Sequence, residues 1–146
     1  SAGEVVHFRT AMTGEIFGLM AGASVLRHAV GARADWDEAA FEAGVDDTMS
    51  RPERILTESF TLRARALLEG MPPAIARARL SGLLIGAELA AMKPYWLGQD
   101  VAIIGAEALS ERYRAALALT GLEPRIAPAA EMTRAGLLAA RERISP

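Results

Sequence analysis

Three stretches of this chain combine residue types that could handle a phosphorylated or acidic small molecule. The first is "VAIIGAEALSERY", from Val101 to Tyr113. Four apolar residues run into Gly105, and after Ala106 a helix-like pattern starts at Glu107. A glycine at the end of a strand lets a ligand approach the backbone. The first turn of the following helix, where Ser110 falls, offers N–H groups with no intrahelical partner. A lone glycine is neither G-x-G-x-x-G nor G-x-x-x-x-G-K-[ST], so an ordinary strand-to-helix connection explains the same residues. The second stretch is "SGLLIGAE". Gly82 and Gly86 share one helix face and leave a smooth strip where another backbone, or a flat ring, can approach. Close packing of the helix on a sheet is the commoner cause of such a strip. Glu88 ends this run, either as a buried functional carboxylate or, more commonly, as an exposed flank. The third stretch is "FRTAMTGE". Arg9, Thr10, Thr13, Gly14 and Glu15 put hydroxyls, a glycine and a helix start together, which suits a phosphate or a sugar acid. A threonine N-cap with a first-turn glutamate gives the same string.

Other chemistries are poorly supplied. There is no cysteine, which excludes disulfides, thiolate metal sites and cysteine nucleophiles. The histidines, His7 and His28, are far apart in sequence and form no His-x-x-x-His pair, so their spacing gives no reason to expect a zinc site, and no Ser-His-Asp order can be argued from them. Tyr95-Trp96 could form an interface, although such a pair more often caps a core beneath a loop. No catalytic residue and no metal ligand is assigned. The 16 basic and 18 acidic residues give a net charge of −2. This balance provides no electrostatic reason to bind nucleic acid or an anionic membrane. No signal peptide is visible in "SAGEVVHFRT" and no apolar run is long enough to span a bilayer, so the expected location is cytoplasmic.

The elements that must position these residues follow from periodicity. The chain has 146 residues, 51% of them hydrophobic and 23% charged, which fits one ordered domain with a real core. "EVVHFR", Glu4 to Arg9, reads as a strand. "TGEIFGLM" reads as a helix with Thr13 as N-cap and an apolar stripe of Ile16, Leu19 and Met20. A short helix and a turn are expected between Ala21 and Ala34. A helix starts near Asp37, with an acidic first turn. The segment "RPERILTESFTLRARALLEG" reads as helical, although "SFTLRARAL" also alternates like a strand. "MPPAIARARLSGLLIGAELAAM" predicts a helix over Pro73 to Met92, and "KPYWLGQD" a loop. Strand Val101 to Ile104, helix Glu107 to Thr120, a short strand in "EPRIAPA" and a last helix in "EMTRAGLLAARERI" then give a β-α-β-α pattern. That pattern belongs to a parallel sheet carrying helices, so the fold class is α/β. Three strands are few for such a domain, and the first begins almost at residue 1. The expectation is a fragment that starts partway through a sheet.

Taken in order, "FRTAMTGE", "LSGLLIGAELAAM", "VAIIGAEALSERYRAALALTGLEPRIA" and "AGLLAAR" resemble the C-terminal half of 2-dehydro-3-deoxygalactonokinases, also called 2-keto-3-deoxygalactonokinases. The resemblance spans nearly the whole chain. It is closest over Phe8 to Glu15 and Leu80 to Ile144, and looser over Ala21 to Pro72. It implies transfer of the γ-phosphoryl group of ATP, with Mg²⁺, to the 6-hydroxyl of 2-dehydro-3-deoxy-D-galactonate, a step of galactonate and galactose breakdown. It also implies an RNase-H-like C-terminal domain of the actin, hexokinase and heat-shock-protein-70 type, incomplete at its N-terminal edge, with residues 1–146 as its adenosine side. Under the resemblance Gly105, Ala106 and Glu107 approach the adenosine, with Ser110 on the first helical turn. Gly82 and Gly86 lie on the helix lining the cleft, and Arg9, Thr10, Thr13 and Glu15 lie near the phosphate or substrate end. Relatives carry "G-T-S-L" after the strand, whereas this chain is one residue longer to its serine. The family's D-x-G-[ST] and P-G-[ST]-H phosphate segments and its catalytic carboxylate fall outside these residues.

Phosphoryl transfer depends mainly on such positioning parts, so the chain alone is expected to be inactive. Its partner would be the missing N-terminal half of the same protein, and a bare sheet edge would invite pairing. Self-association as a homodimer stays open. So does another reading, a non-catalytic binding or assembly module that kept the fold.

Overall fold

The computed structural model describes residues 5–31 and 35–144, and these divide into two compact units, Ser1–Ala91 and Met92–Pro146. Glu4 of the expected first strand and the expected turn residues 32–34 lie outside the described residues.

The first unit is helical. It comprises α1 (Thr13–Gly22), α2 (Arg27–Val30), α3 (Glu38–Ser50), a 3₁₀ turn (Pro52–Arg54), α4 (Ile55–Leu68) and α5 (Pro73–Ala91). Every residue from Leu80 to Gly86 is buried, the signature of a helix surrounded on all sides rather than one with a single apolar stripe. α1 to α4 all pack on α5. Leu26, Val30, Leu62, Met71, Leu80 and Leu83 form the core, with Ile16, Phe17 and Met20 of α1 packed against it. Leu19, expected in the same stripe, is exposed. Asp37 caps α3, its Oδ1 accepting from the Ala40 amide at 2.7 Å, as its place before an acidic first turn suggests.

α3 lies close against α5, and glycine sets the approach. A Cβ at Gly82 would collide with the Phe41 carbonyl, one at Gly86 with the Val45 carbonyl, and one at Gly44 with the Arg79 carbonyl. Across this contact Thr48 Oγ1 donates to the Leu83 carbonyl at 2.7 Å, which satisfies a hydroxyl that has no solvent exposure. Arg79 of α5 pairs with Asp47 of α3 and lies 3.9 Å from Glu58 of α4, so one guanidinium ties three helices.

The second unit holds α6 (Lys93–Trp96), β1 (Ala102–Gly105), α7 (Glu107–Ala118), β2 (Arg125–Pro128) and α8 (Ala129–Ile144). β1 and β2 pair in parallel, with Ile103 opposite Ile126 and Gly105 opposite Pro128. The β-α-β-α order read from the sequence is therefore present, its ends shifted by a residue or two. The chain as a whole is mostly helical, with one two-stranded parallel sheet among the described residues.

Three expectations are corrected. Residues 5–9 form no strand. Their β-branched and aromatic residues suit a ladder, yet no described strand pairs with them, and Val5, Val6 and Phe8 are 85%, 78% and 78% exposed. Thr13 is the first residue of α1 rather than its cap. The N-cap position belongs to Met12, with no side-chain hydrogen bond. "KPYW" is a single helical turn rather than open loop, with Pro94 in the first turn, where its missing N–H costs nothing.

Candidate functional site

The candidate site is the turn from β1 into α7. Gly105 ends β1, and Ala106 holds the N-cap position in extended conformation with no side-chain cap hydrogen bond. The Ala106 carbonyl accepts from the Leu109 and Ser110 amides at 3.1 and 2.9 Å. The amides of Glu107 and Ala108 have no intrahelical acceptor by helix geometry. Ala106 brings no oxygen to cover them, and Ala106, Glu107 and Ala108 are exposed. The start of a helix of this length carries a partial positive charge. The carboxyl end of a parallel strand is also where ligands of α/β sheets sit.

Ser110 behaves differently from its neighbours. It is 1% exposed, and its Oγ has no hydrogen-bond partner. A Cβ at Gly105 would come to 3.2 Å from that Oγ. Ser110 thus lies beneath the turn rather than on its surface, and a side chain at 105 would press on its hydroxyl. The sequence places Ser110 on the first turn of the helix, but its burial depends on how α7 packs.

The other sequence-predicted residues fall elsewhere. Gly82 and Gly86 are buried in the first unit, and the strip they leave is filled by the α3 backbone. This is the close-packing alternative, with a helix as the neighbour instead of a sheet. Arg9 and Thr10 are exposed on a segment outside any strand, Thr13 is half-buried at the start of α1, and Glu15 is exposed in its first turn. Trp96 is buried and Tyr95 exposed. Near Trp96 a cavity of about 460 Å³ opens between Asp100, Val101, Glu123 and Arg125. It lies where the two strands begin, at the opposite end of the sheet from the Gly105 turn. Among the described residues no three His, Asp or Glu side chains group to hold a metal ion. Among them too, no helix is long and apolar enough to cross a membrane.

A helical unit and a βαβα unit with an open strand-to-helix turn define the class: a mostly helical protein that carries a small parallel two-stranded sheet. The sequence profile of the 2-keto-3-deoxy-galactonokinase family matches residues 1–140, and the chain belongs to that family. It is 42% identical over 146 residues to a Rhizobium meliloti (strain 1021) protein assigned as a 2-dehydro-3-deoxygalactonokinase, covering 97% of this chain and 47% of that protein. It is 32% identical over 121 residues to the 2-dehydro-3-deoxygalactonokinase of Escherichia coli (strain K12), covering 82% of this chain and 41% of the relative. A crystal structure of a Sinorhizobium meliloti protein with the same assignment superposes with a TM-score of 0.88 at 40% identity, over 96% of this chain and 48% of that one. The chain spans about half the length of the relatives it matches.

Proposed function

We propose that this chain is the adenosine-side, C-terminal part of a cytoplasmic sugar-acid kinase whose substrates are ATP and 2-dehydro-3-deoxy-D-galactonate. The observation that carries the reading is the family match over residues 1–140, joined to the open turn at Gly105. In the proposed reaction the 6-hydroxyl oxygen of the sugar acid bonds to the γ-phosphorus. The bond from that phosphorus to the bridging oxygen breaks, ADP leaves, and the hydroxyl proton passes to a base. That base, the phosphate-binding segments and any ligands for Mg²⁺ belong to the other half of the enzyme. The catalytic domain so completed would be of the RNase-H-like, actin and hexokinase type.

The contribution of this chain is a wall. Gly105 and Ala106 present backbone and one methyl group to the adenosine, and the exposed Glu107 side chain stands beside them. Ser110 supports the turn from below. Arg9, Thr10, Thr13 and Glu15 are assigned to the phosphate or sugar-acid end. Gly82 and Gly86 act at one remove, by letting α3 seat on α5. Because phosphoryl transfer rests on positioning and charge stabilisation, this chain by itself is inactive under the proposal. The competing reading, a binding or assembly module with the same fold, predicts no turnover in any form of the protein.

A coupled ATP-consumption assay on 2-dehydro-3-deoxy-D-galactonate separates the two. It compares the full product of the gene with the 146-residue chain. Turnover by a longer product and none by the chain is the expected result. A gene product that consumes no ATP with this acid overturns the kinase reading.

A further inference from the structure

The first unit contains a cavity of about 650 Å³ that the proposed reaction does not use. Gly18 and Gly22 of α1 line it, and a Cβ at either would meet nothing within 4 Å. Its polar groups are Arg27 and His28 of α2 and Arg77 of α5, and none of the described residues lining it is acidic. The overall charge of −2 makes a carboxylate-free cavity with two arginines a local departure from the composition.

Both arginines are held without being neutralised. The Arg77 guanidinium lies 5.0 Å from the centroid of the Phe17 ring, and its Nη1 donates to the Gly31 carbonyl at 3.1 Å. Arg27 Nη1 donates to the Ala23 and Ser24 carbonyls at 3.2 and 3.3 Å. Neither makes an ion pair among the described residues, whereas Arg54, Arg65, Arg79 and Arg114 all pair with carboxylates. A guanidinium carries five donors in one plane. Each of these two spends one nitrogen on carbonyl oxygens, which fixes its position and leaves donors and full charge for another acceptor. Stacking on an aromatic face orients Arg77 further. Donors fixed in advance lose less freedom when a ligand arrives.

We infer that this cavity is an oxyanion-binding site, taking the carboxylate or phosphate group of a small ligand on the guanidinium groups of Arg77 and Arg27. His28 supplies a further ring N–H, and the glycines allow the ligand down to the α1 backbone. Oxygen pairs on a carboxylate or phosphate match the guanidinium fork, and charge-assisted bonds of this kind are the strong ones. The site does not depend on the kinase reading, because its ligation involves neither the turn at Gly105 nor the rest of a longer protein.

The test is a titration of the ¹⁵N-labelled chain with inorganic phosphate and, separately, with pyruvate, against chloride at matched ionic strength. The amides of Gly18, Gly22 and Gly31 report on the cavity. Saturable shifts of these amides with at least one oxyanion, absent with chloride, are expected. A response to phosphate assigns a phosphate-bearing ligand, and one to pyruvate a carboxylate. Arg77→Gln should weaken binding about tenfold or more, the loss of one charge-assisted pair. Gly22→Asp keeps both arginines, adds its side chain in open space and places a competing carboxylate in the cavity. It should abolish the response while leaving other amides in place, and it decides the matter if Arg77→Gln fails to fold. Shifts no larger than those from chloride, or a Gly22→Asp chain that binds like the original, overturn the inference.

Discussion

At the residue scale, glycine means different things at different positions. At Gly82 the missing side chain makes room for the Phe41 carbonyl of α3, and backbone cannot step aside as a flexible side chain can. At Gly136, in the exposed helix α8, a Cβ would meet nothing within 4 Å. The same substitution should therefore have opposite signs. Gly82→Ala is expected to destabilise by about 3 kcal/mol, the upper end of overpacking costs. Gly136→Ala is expected to stabilise by roughly 0.5–1 kcal/mol by removing backbone freedom from the unfolded chain. Urea unfolding of the two variants checks this, and a Gly82→Ala midpoint at or above the original would mean that α3 can withdraw from α5. The spacing of Gly82 and Gly86 made a close approach legible. What approaches was not, because the partner residues Phe41 and Val45 lie about forty positions earlier in the sequence. The hydroxyl of Ser110 was legible only as a first-turn position, since its burial is a property of packing.

At the element scale, local rules worked where an element closes its own hydrogen bonds. α5, α7 and α8 start or stop within a few residues of where prolines, glycines and periodicity place them. The segment Ile55–Leu68, whose sequence also alternates like a strand, is a helix. Its Leu62 is buried in the core of the unit. The failure at residues 5–9 has the complementary cause: a strand needs a partner, and propensity for a pleated surface does not supply one. Caps divide in the same way. The helix read as starting near Asp37 begins one residue later with Asp37 as its cap, whereas Thr13, read as a cap, is drawn one position into α1. Asp37→Ala is accordingly expected to cost about 1 kcal/mol, the usual value of an N-cap hydrogen bond, while Asp37→Asn should retain most of it. Thermal unfolding of both variants measures the difference, and equal losses would shift the effect from the cap to the charge.

At the scale of the whole molecule the two units differ in how far their own residues bury them. The first surrounds α5 with helices. The second rests on two strands of four residues each, with Ile104 59% exposed and Ile126 38% exposed. Parallel sheets are ordinarily covered on both faces, and a sheet of two short strands has little stability of its own. Amide hydrogen exchange should therefore be slow across Leu80 to Gly86, near the limit set by unfolding of the unit, and much faster across β1 and β2. The chain spans about half the length of its relatives, and under the proposed function the rest of such an enzyme completes the sheet that β1 and β2 begin. Exchange measured by mass spectrometry on the 146-residue chain and on the full gene product then gives a direct comparison. Slower exchange at Ala102–Gly105 and Arg125–Pro128 in a longer product is the expected outcome. Strands already as protected as α5 in the shorter chain would mean that this small sheet needs no cover from the rest of a longer product.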